Sequence, residues 1–162
     1  PAKGDICDSA AITRQHFSDL MVCLVVTADG KKIEASSVRP FTDTADSAAR
    51  KAYAAGIVTG TGDGTTFSPD ASITREQMAA MLYRAIQYIQ KQTGRSVLTE
   101  AGGLDSFTDA GQVSGWAADS LAALTASGIL QGTSSATLSP KDTTTVEQAI
   151  LLTLRAYQEF SK

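Results

Sequence analysis

The sequence predicts an all-α protein, a helical bundle built from tandem helix-turn-helix repeats. Three observations lead to this fold class. A set of landmarks recurs in the same order along the chain, apolar residues follow each recurring threonine with helical spacing, and no segment sustains the alternation of a half-buried strand. We expect negligible sheet, and helices near residues 13–26, 44–55, 74–92, 115–127 and 145–160.

The recurring landmarks are a Phe-Thr-Asp opening, a Gly-Ile segment, a turn with a Ser-Pro pair, and a threonine that begins the second helix. One copy runs from Phe41 to Gln77 and another from Phe107 to Gln148. A third copy is partial, because Thr13 opens a helix but no Phe-Thr-Asp segment precedes it. We therefore expect a single module over residues 1–162, with segments 1–40 (a partial repeat and linker), 41–106 and 107–162.

Each long helix is expected to begin at a threonine. Thr74 and Thr145 are each followed three residues later by Gln, which predicts a capping box, and Thr13 is a simpler cap. Apolar residues follow the first two threonines at identical offsets along one helical face: Phe17, Leu20, Met21, Leu24 and Val25 in one copy, and Met78, Met81, Leu82, Ala85 and Ile86 in the next.

The shorter, Ala-rich helices are expected to follow the Phe-Thr-Asp openings. Asp43 and Asp109 are predicted to be their N-caps, and Gly56 and Gly128 suit the left-handed residue past a helix end. In the turn that follows, Phe67 is predicted to be an apolar plug ahead of the next cap.

Composition excludes several classes of partner. Of 162 residues 43 % are hydrophobic, which is enough for a core, while 19 % are charged and the net charge is −3. No basic stripe exists to follow nucleic acid or an anionic membrane surface, and no apolar run approaches the roughly 20 residues that span a bilayer. We expect neither nucleic acid nor membrane as a partner, and we expect any export signal to lie outside these residues.

Residues that bind metals or cofactors are sparse, so we expect no cofactor and no metal. Cys7 and Cys23 could form one disulfide or could be buried separately, and His16 has no second ligand close in sequence. The Asp63 turn superficially resembles a calcium loop. A turn is the stronger reading, because the next acidic residue is Asp70 and the alternating carboxylates of such a loop are missing.

The repeats closely resemble S-layer homology motifs. The family pattern is a Phe-x-Asp opening, a Gly-Ile-x-x-Gly middle, an Asp-Gly-(Thr)-Phe-x-Pro-(Asp/Asn) turn and a Thr-Arg-(Ala/Glu)-(Glu/Gln) helix start. Residues 41–90 match it nearly throughout, residues 107–160 match it with a departure at the Arg, and residues 12–26 match the closing half only. The resemblance implies an all-helical bundle with a pseudo-threefold arrangement. It also implies a non-catalytic, extracellular anchoring module of a larger surface protein on a Gram-positive-type cell wall, whose inter-repeat grooves bind secondary cell-wall polysaccharide, often anionic or pyruvylated.

The resemblance also implies the glycan-binding residues. The family's main anion contact is the Arg of its Thr-Arg pair, which corresponds to Arg14 and Arg75. Acidic residues of the opening and an aromatic residue of the first helix are associated with the groove walls, here Asp43, Asp109 and Trp116. Val146 replaces the Arg in the last repeat, so that groove is expected to bind weakly or not at all.

Alternatives exist for these residues and for the function. Either Arg could instead form an internal salt bridge to Asp43 or Asp109, and a lone Trp at helical spacing is commonly a core residue. The main alternative function is a protein-interaction or assembly module of a larger surface protein on a degenerate scaffold of the same type. Catalysis is not expected, because no nucleophile–base pair stands out and turn aspartates are usually structural.

Overall fold

The computed structural model describes residues 10–35, 37, 39–60, 64–98, 104–131 and 136–161. In those ranges lie five α-helices, α1 (Arg14–Asp29), α2 (Ser47–Ala54), α3 (Arg75–Thr93), α4 (Gly115–Ala126) and α5 (Val146–Ser161), with a short 3₁₀ turn at Ala110–Gln112. The described residues form isolated β-bridges but no strand. The all-α prediction is therefore confirmed.

Threonine caps begin the long helices, as the sequence predicts. The Thr74 hydroxyl accepts from the Gln77 N–H at 3.3 Å, and the Gln77 side-chain oxygen accepts from the Thr74 N–H at 2.9 Å. Thr145 and Gln148 form the same reciprocal pair, and the Thr13 hydroxyl accepts from a backbone N–H in the first turn of α1. Each cap satisfies N–H groups that lack an intrahelical partner.

Asp43 and Asp109 do not cap the short α-helices, so that prediction is wrong. Asp109 directly precedes the 3₁₀ turn Ala110–Gln112, but its side chain makes no cap hydrogen bond there. The N-cap of α2 is Asp46, whose carboxylate accepts from the N–H groups of Ala48 and Ala49, and the N-cap of α4 is Ser114. The physical reason is that the Phe-Thr-Asp opening is an irregular segment ahead of each helix, and its carboxylate is bound by a turn more distant in sequence.

The Asp43 carboxylate fastens the turn that carries the apolar plug. Its two oxygens accept from the backbone N–H groups of Phe67 and Ser68, both at 2.8 Å. Ser68 has a φ of 57°, a left-handed conformation that is uncommon for a non-glycine residue, and Phe67 is fully buried. The same arrangement recurs in the last repeat among Asp109, Leu138 and Ser139, whose φ is 52°.

A ring of three backbone hydrogen bonds joins the three repeats. Ile12 donates to the carbonyl of Thr144 at 2.8 Å, Thr144 donates to Ile73 at 2.9 Å, and Ile73 donates to Ile12 at 3.4 Å. All three residues immediately precede a capping threonine and are fully buried. The partial repeat thus takes its place in a closed cycle with the two whole ones, which confirms the pseudo-threefold arrangement.

The shorter helices lie outside this ring, each packed on the long helix of the preceding repeat. α2 packs on α1, and α4 packs on α3. Within the described residues α5 has no such covering helix, and it exposes Ile150, Leu151, Leu154 and Tyr157. Of the equivalent positions on α3, Ala79, Ala80 and Ile86 are buried and Tyr83 is half-buried. One face of α5 is therefore apolar and open to solvent.

Polar side chains of the long helices bind the N-cap residues of the short helices that pack on them. The Glu76 carboxylate accepts from both the backbone N–H and the hydroxyl of Ser114, at 2.9 and 2.8 Å, and pairs with Lys141 at 2.5 Å. At the equivalent place one repeat earlier, Gln15 donates to the carboxylate of Asp46 at 2.9 Å. The second residue of a long helix thus binds the N-cap of the next short helix.

Candidate functional site

A cleft of about 460 Å³, here called groove 1, lies where three repeats meet. Arg14 from the first repeat and Trp116 from α4 form two of its walls, and segment 58–60 forms another. The remaining wall is one face of α3, with Gln77, Ala80, Met81 and Arg84. Groove 1 therefore brings together two of the residues predicted to bind glycan.

A second cleft of about 360 Å³, groove 2, is the repeat-equivalent of the first. Arg75 takes the place of Arg14, and the α5 residues Gln148, Leu151, Leu152 and Arg155 correspond one by one to those of α3. Leu130 and Gln131 correspond to the first two residues of segment 58–60. The wall supplied by Trp116 has no counterpart among the described residues that line groove 2. The same site is thus built twice, with groove 2 more open on one side.

Arg14 and Arg75 are buried and held by backbone carbonyls. Arg14 is 9 % exposed, its Nε donates to the Phe67 carbonyl at 2.7 Å, and its guanidinium carbon lies 5.2 Å from the centre of the Phe67 ring. Arg75 is 5 % exposed and donates to the carbonyls of Leu138 and Gln131, at 2.8 and 3.0 Å. A guanidinium carries five N–H donors, so these bonds leave donors for a ligand.

Among the described residues, neither Arg14 nor Arg75 forms the alternative internal salt bridge to Asp43 or Asp109. Burial lowers the pKa of Arg14, the nearby charge of Arg84 lowers it further, and Asp43 partly opposes both. Burial likewise lowers the pKa of Arg75 against the opposing charges of Asp142 and Asp109. The aspartates act on the guanidinium groups at a distance, and the direct internal partners are carbonyl groups.

Trp116 and the two aspartates occupy different kinds of position. Trp116 is 57 % exposed on α4, so the alternative that it is a core residue is wrong. Asp43 and Asp109 are not among the residues lining either groove. Their carboxylates face the turns, where backbone N–H groups, above all those of Phe67 and Leu138, hold the pKa of each below its usual range.

Sequence reasoning missed four groove residues: Gln77, Arg84, Gln148 and Arg155. A signal for both arginines was present, because each stands ten residues after the capping threonine of its repeat. Helical spacing alone does not reveal that this position faces a cleft. The glutamines are engaged in capping through their side-chain oxygens, so the amide nitrogen remains as a donor that lines the groove.

At the third position around the pseudo-threefold axis, both groove arginines are replaced by other residues. Val146 stands in place of Arg14 and Arg75, and Cys23 stands in place of Arg84 and Arg155. Cys23 is exposed, and it lines an apolar cleft of about 210 Å³ between α1 and α5. Cys7, with which Cys23 could form a disulfide, lies outside the described residues. Asp63, in the turn that superficially resembles a calcium loop, also lies outside them.

Neither metal-binding clusters nor membrane spans are found in the described parts of the chain. There, no group of three or more His, Cys, Asp or Glu side chains is placed to hold a metal ion. None of the described helices combines the length and apolar character needed to cross a bilayer.

Known proteins share this repeat. The profile of the S-layer homology domain matches residues 39–79 and 106–150, together just over half of the chain. Similar proteins include an endoglucanase of Bacillus sp. (strain KSM-635), 33 % identical over 86 % of this chain, and exoglucanase XynX of Acetivibrio thermocellus, 30 % identical over 87 %. An amylopullulanase of Thermoanaerobacterium thermosulfurigenes is 29 % identical over 85 %.

The matched region is a small part of each of these enzymes. This chain spans 14 % of the endoglucanase, 12 % of the exoglucanase and 7 % of the amylopullulanase. The similarity thus concerns one module that larger proteins carry. With its two whole repeats and the ring that closes them, the chain belongs to the S-layer homology domain family, an extracellular module that anchors proteins at the bacterial cell wall.

Proposed function

We propose that this module is non-catalytic and binds an anionic secondary cell-wall polysaccharide, such as a pyruvylated glycan, through grooves 1 and 2. The observation that carries the proposal is the recurrence of one arrangement in consecutive repeats. Each groove presents a buried arginine held by backbone carbonyls, and each is lined by a second arginine and a glutamine amide. Such donors suit a sugar that bears a carboxylate.

Groove 1 carries the additional feature expected of a sugar site. Trp116 is exposed at its edge, and the C–H groups of a sugar ring stack favourably on the face of an indole. Arg14 lies in the same cleft, so one sugar can meet the indole with its face and a guanidinium with its charged substituent. Asp43 and Asp109 contribute indirectly, because they fasten the turns whose carbonyls hold Arg14 and Arg75.

The direct test is cosedimentation of the purified module with cell-wall sacculi, before and after chemical removal of the polysaccharide. We expect the module to sediment only with the untreated sacculi. Trp116→Ala should weaken binding without lowering the melting temperature, because the side chain is exposed. Tyr157→Ala is the matched control, since it removes an exposed aromatic residue that lines neither groove.

The arginines are tested in the same assay. Arg14→Ala and Arg75→Ala should each weaken binding by about 1.5–3 kcal/mol, the usual contribution of a charged hydrogen bond, and Val146→Ala should leave binding unchanged. Both arginines also hold backbone carbonyls, so the melting temperature is measured alongside. Folded Arg→Ala variants that bind like the parent would contradict the site assignment.

A second candidate is a protein-docking module, favoured by the open apolar face of α5. Ile150, Leu151 and Leu154 are 44 to 49 % exposed there, and a segment of the parent surface protein could cover them. The sedimentation experiment separates the candidates. Loss of binding with Tyr157→Ala but not with Trp116→Ala, or equal binding to stripped and untreated sacculi, would favour docking over glycan recognition.

A further inference from the structure

Two arginines of the grooves were not expected to take part in binding. Arg84 lies on α3, and Arg155 lies at the same place on α5. Arg84 donates to the Ile57 carbonyl over a long 3.4 Å, and in the described part of the chain the Arg155 guanidinium has neither a hydrogen bond nor an ion pair. Both side chains are half-buried. An arginine in a cleft with few internal partners retains most of its five donors for something else.

Among the described residues that line each groove, positive charges have no acidic counterpart. Arg14 and Arg84 line groove 1, Arg75 and Arg155 line groove 2, and none of the lining residues that the structure describes is acidic. Asp43 lies near Arg14 but is occupied by the turn, where both of its oxygens accept backbone N–H groups. Two guanidinium groups that share a cleft repel each other, and an anion placed between them relieves the repulsion.

The two arginines of a groove are held differently. Arg14 is buried, packed against Phe67 and anchored through Nε, so its position is set before any ligand arrives. Arg84 is more exposed and only weakly tethered. A fixed donor at one wall and an adaptable donor at another can take an oxyanion on two sides, which gives charge-assisted hydrogen bonds from both guanidinium groups.

We propose that Arg84 and Arg155 are the second oxyanion-binding residues of grooves 1 and 2, so that each groove holds one anionic substituent of a wall sugar between two guanidinium groups. This inference rests on the proposed glycan-binding function and adds two things to it. The ligand chemistry is an oxyanion that both arginines contact, either a carboxylate or a phosphate. The module has two such sites and not three, because Cys23 and Val146 replace both arginines at the third position.

The experiment uses polysaccharide released from sacculi, titrated into the parent module and into Arg84→Gln, Arg155→Gln and the double variant. We expect a stoichiometry of two anionic groups for the parent, and an affinity loss of about tenfold or more at the altered groove in each single variant. Arg39→Gln is the matched control, because it removes an exposed positive charge that lines neither groove.

Two further measurements distinguish binding from a merely structural role. Arg84→Lys retains the charge and should recover part of the affinity lost in Arg84→Gln, and the dependence of affinity on salt should be shallower in the double variant than in the parent. The polysaccharide is also treated with mild acid, which removes ketal-linked carboxylates, or with phosphatase, which removes terminal phosphate. The treatment that abolishes the effect of Arg84→Gln identifies the anion.

The outcomes separate this inference from the function on which it rests. If the parent does not bind the polysaccharide at all, the proposed function is wrong. If the parent binds but the folded double variant binds equally well, with the same salt dependence, the inference about Arg84 and Arg155 is wrong and the proposed function stands. A stoichiometry of three would contradict the assignment of the third position.

Discussion

Asp43 and Arg14 hold the same residue from opposite sides of its backbone. The Asp43 carboxylate accepts from the Phe67 N–H at 2.8 Å, while Arg14 donates to the Phe67 carbonyl at 2.7 Å. Asp109 and Arg75 hold Leu138 in the same way. The aspartate of each Phe-Thr-Asp opening therefore positions the arginine of the preceding repeat indirectly. Both side chains bind the same turn residue, and they form no ion pair with each other.

Asp43→Asn should destabilise the turn and weaken binding in groove 1. An amide has only one acceptor oxygen, so either the Phe67 or the Ser68 N–H loses its partner, and Ser68 is held in a left-handed conformation. We expect a lower urea midpoint and a loss of glycan affinity. Asp70→Asn is the control in the same turn, since its side chain is exposed. Equal effects of the two substitutions would refute the role of Asp43.

Glu76 should matter far more to stability than its counterpart in the last repeat. It is 3 % exposed and accepts from the half-buried Ser114 and from Lys141, so Glu76→Ala removes three hydrogen bonds and should cost about 1–3 kcal/mol of unfolding free energy. Glu147 occupies the same position on α5 but is exposed, and Glu147→Ala should change stability by less than about 0.5 kcal/mol. Urea denaturation of both variants checks this, and similar costs would contradict it.

Stability should fall in acid because three carboxylates have lowered pKa values. Burial raises the pKa of Glu76, but hydrogen bonds from Lys141 and Ser114 together outweigh it, and backbone N–H groups lower the pKa of Asp43 and of Asp109. Their contribution is fully present above the pKa of the unfolded chain, about 4, and is lost as the pH falls through the lower folded values.

Urea midpoints measured between pH 7 and pH 2.5 test this dependence. We expect little change down to about pH 5 and a progressive decline below about pH 4, where the unfolded chain binds more protons than the folded one. The double variant Glu76→Gln, Asp109→Asn should be less stable at pH 7 and decline less steeply. A decline as steep as that of the parent would mean that other groups control acid unfolding.

Thr144→Val should stabilise the domain. Thr144 is fully buried in the ring of backbone hydrogen bonds, its hydroxyl has no partner among the described residues, and the equivalent positions carry isoleucine. Removing an unsatisfied buried hydroxyl at nearly constant volume should gain about 1 kcal/mol. The neighbouring Thr145→Val breaks a capping box and should instead cost about 0.5–2 kcal/mol. Thermal unfolding distinguishes a gain in stability from a loss. A lower melting temperature for Thr144→Val would contradict the prediction.

Gly60→Ala should be much more harmful than Gly56→Ala. Both residues have positive φ, 91° and 77°, so both substitutions incur the conformational cost of roughly 1 kcal/mol. At Gly60 a Cβ would also lie 2.7 Å from the Gly64 carbonyl oxygen, whereas nothing lies within 4 Å at Gly56. Chemical denaturation should show the larger loss at Gly60, and equal losses would contradict the close approach.

Helices and the repeat could be predicted from the sequence because their causes are local. Thr74, Gln77 and the apolar residues that follow act on each other within a few turns of one helix, and the same offsets recur from copy to copy. The expected long helices agree with the observed ones to within a few residues. The error at Asp43 arose because an aspartate ahead of a helix resembles a cap, while its true partners lie 24 and 25 residues later.

Which residues line the grooves depends on tertiary packing. It follows from the sequence alone that Arg14 and Arg75 come directly after capping threonines and that Val146 breaks this pattern. The sequence could not place Trp116 on the surface, or Arg14 and Arg84 in one cleft, because these positions depend on how three repeats close around the ring of Ile12, Ile73 and Thr144. The repeats can be recognised from the spacing of residues that are close in sequence. A groove is formed by residues from different repeats, and only the packing of the repeats brings these residues together.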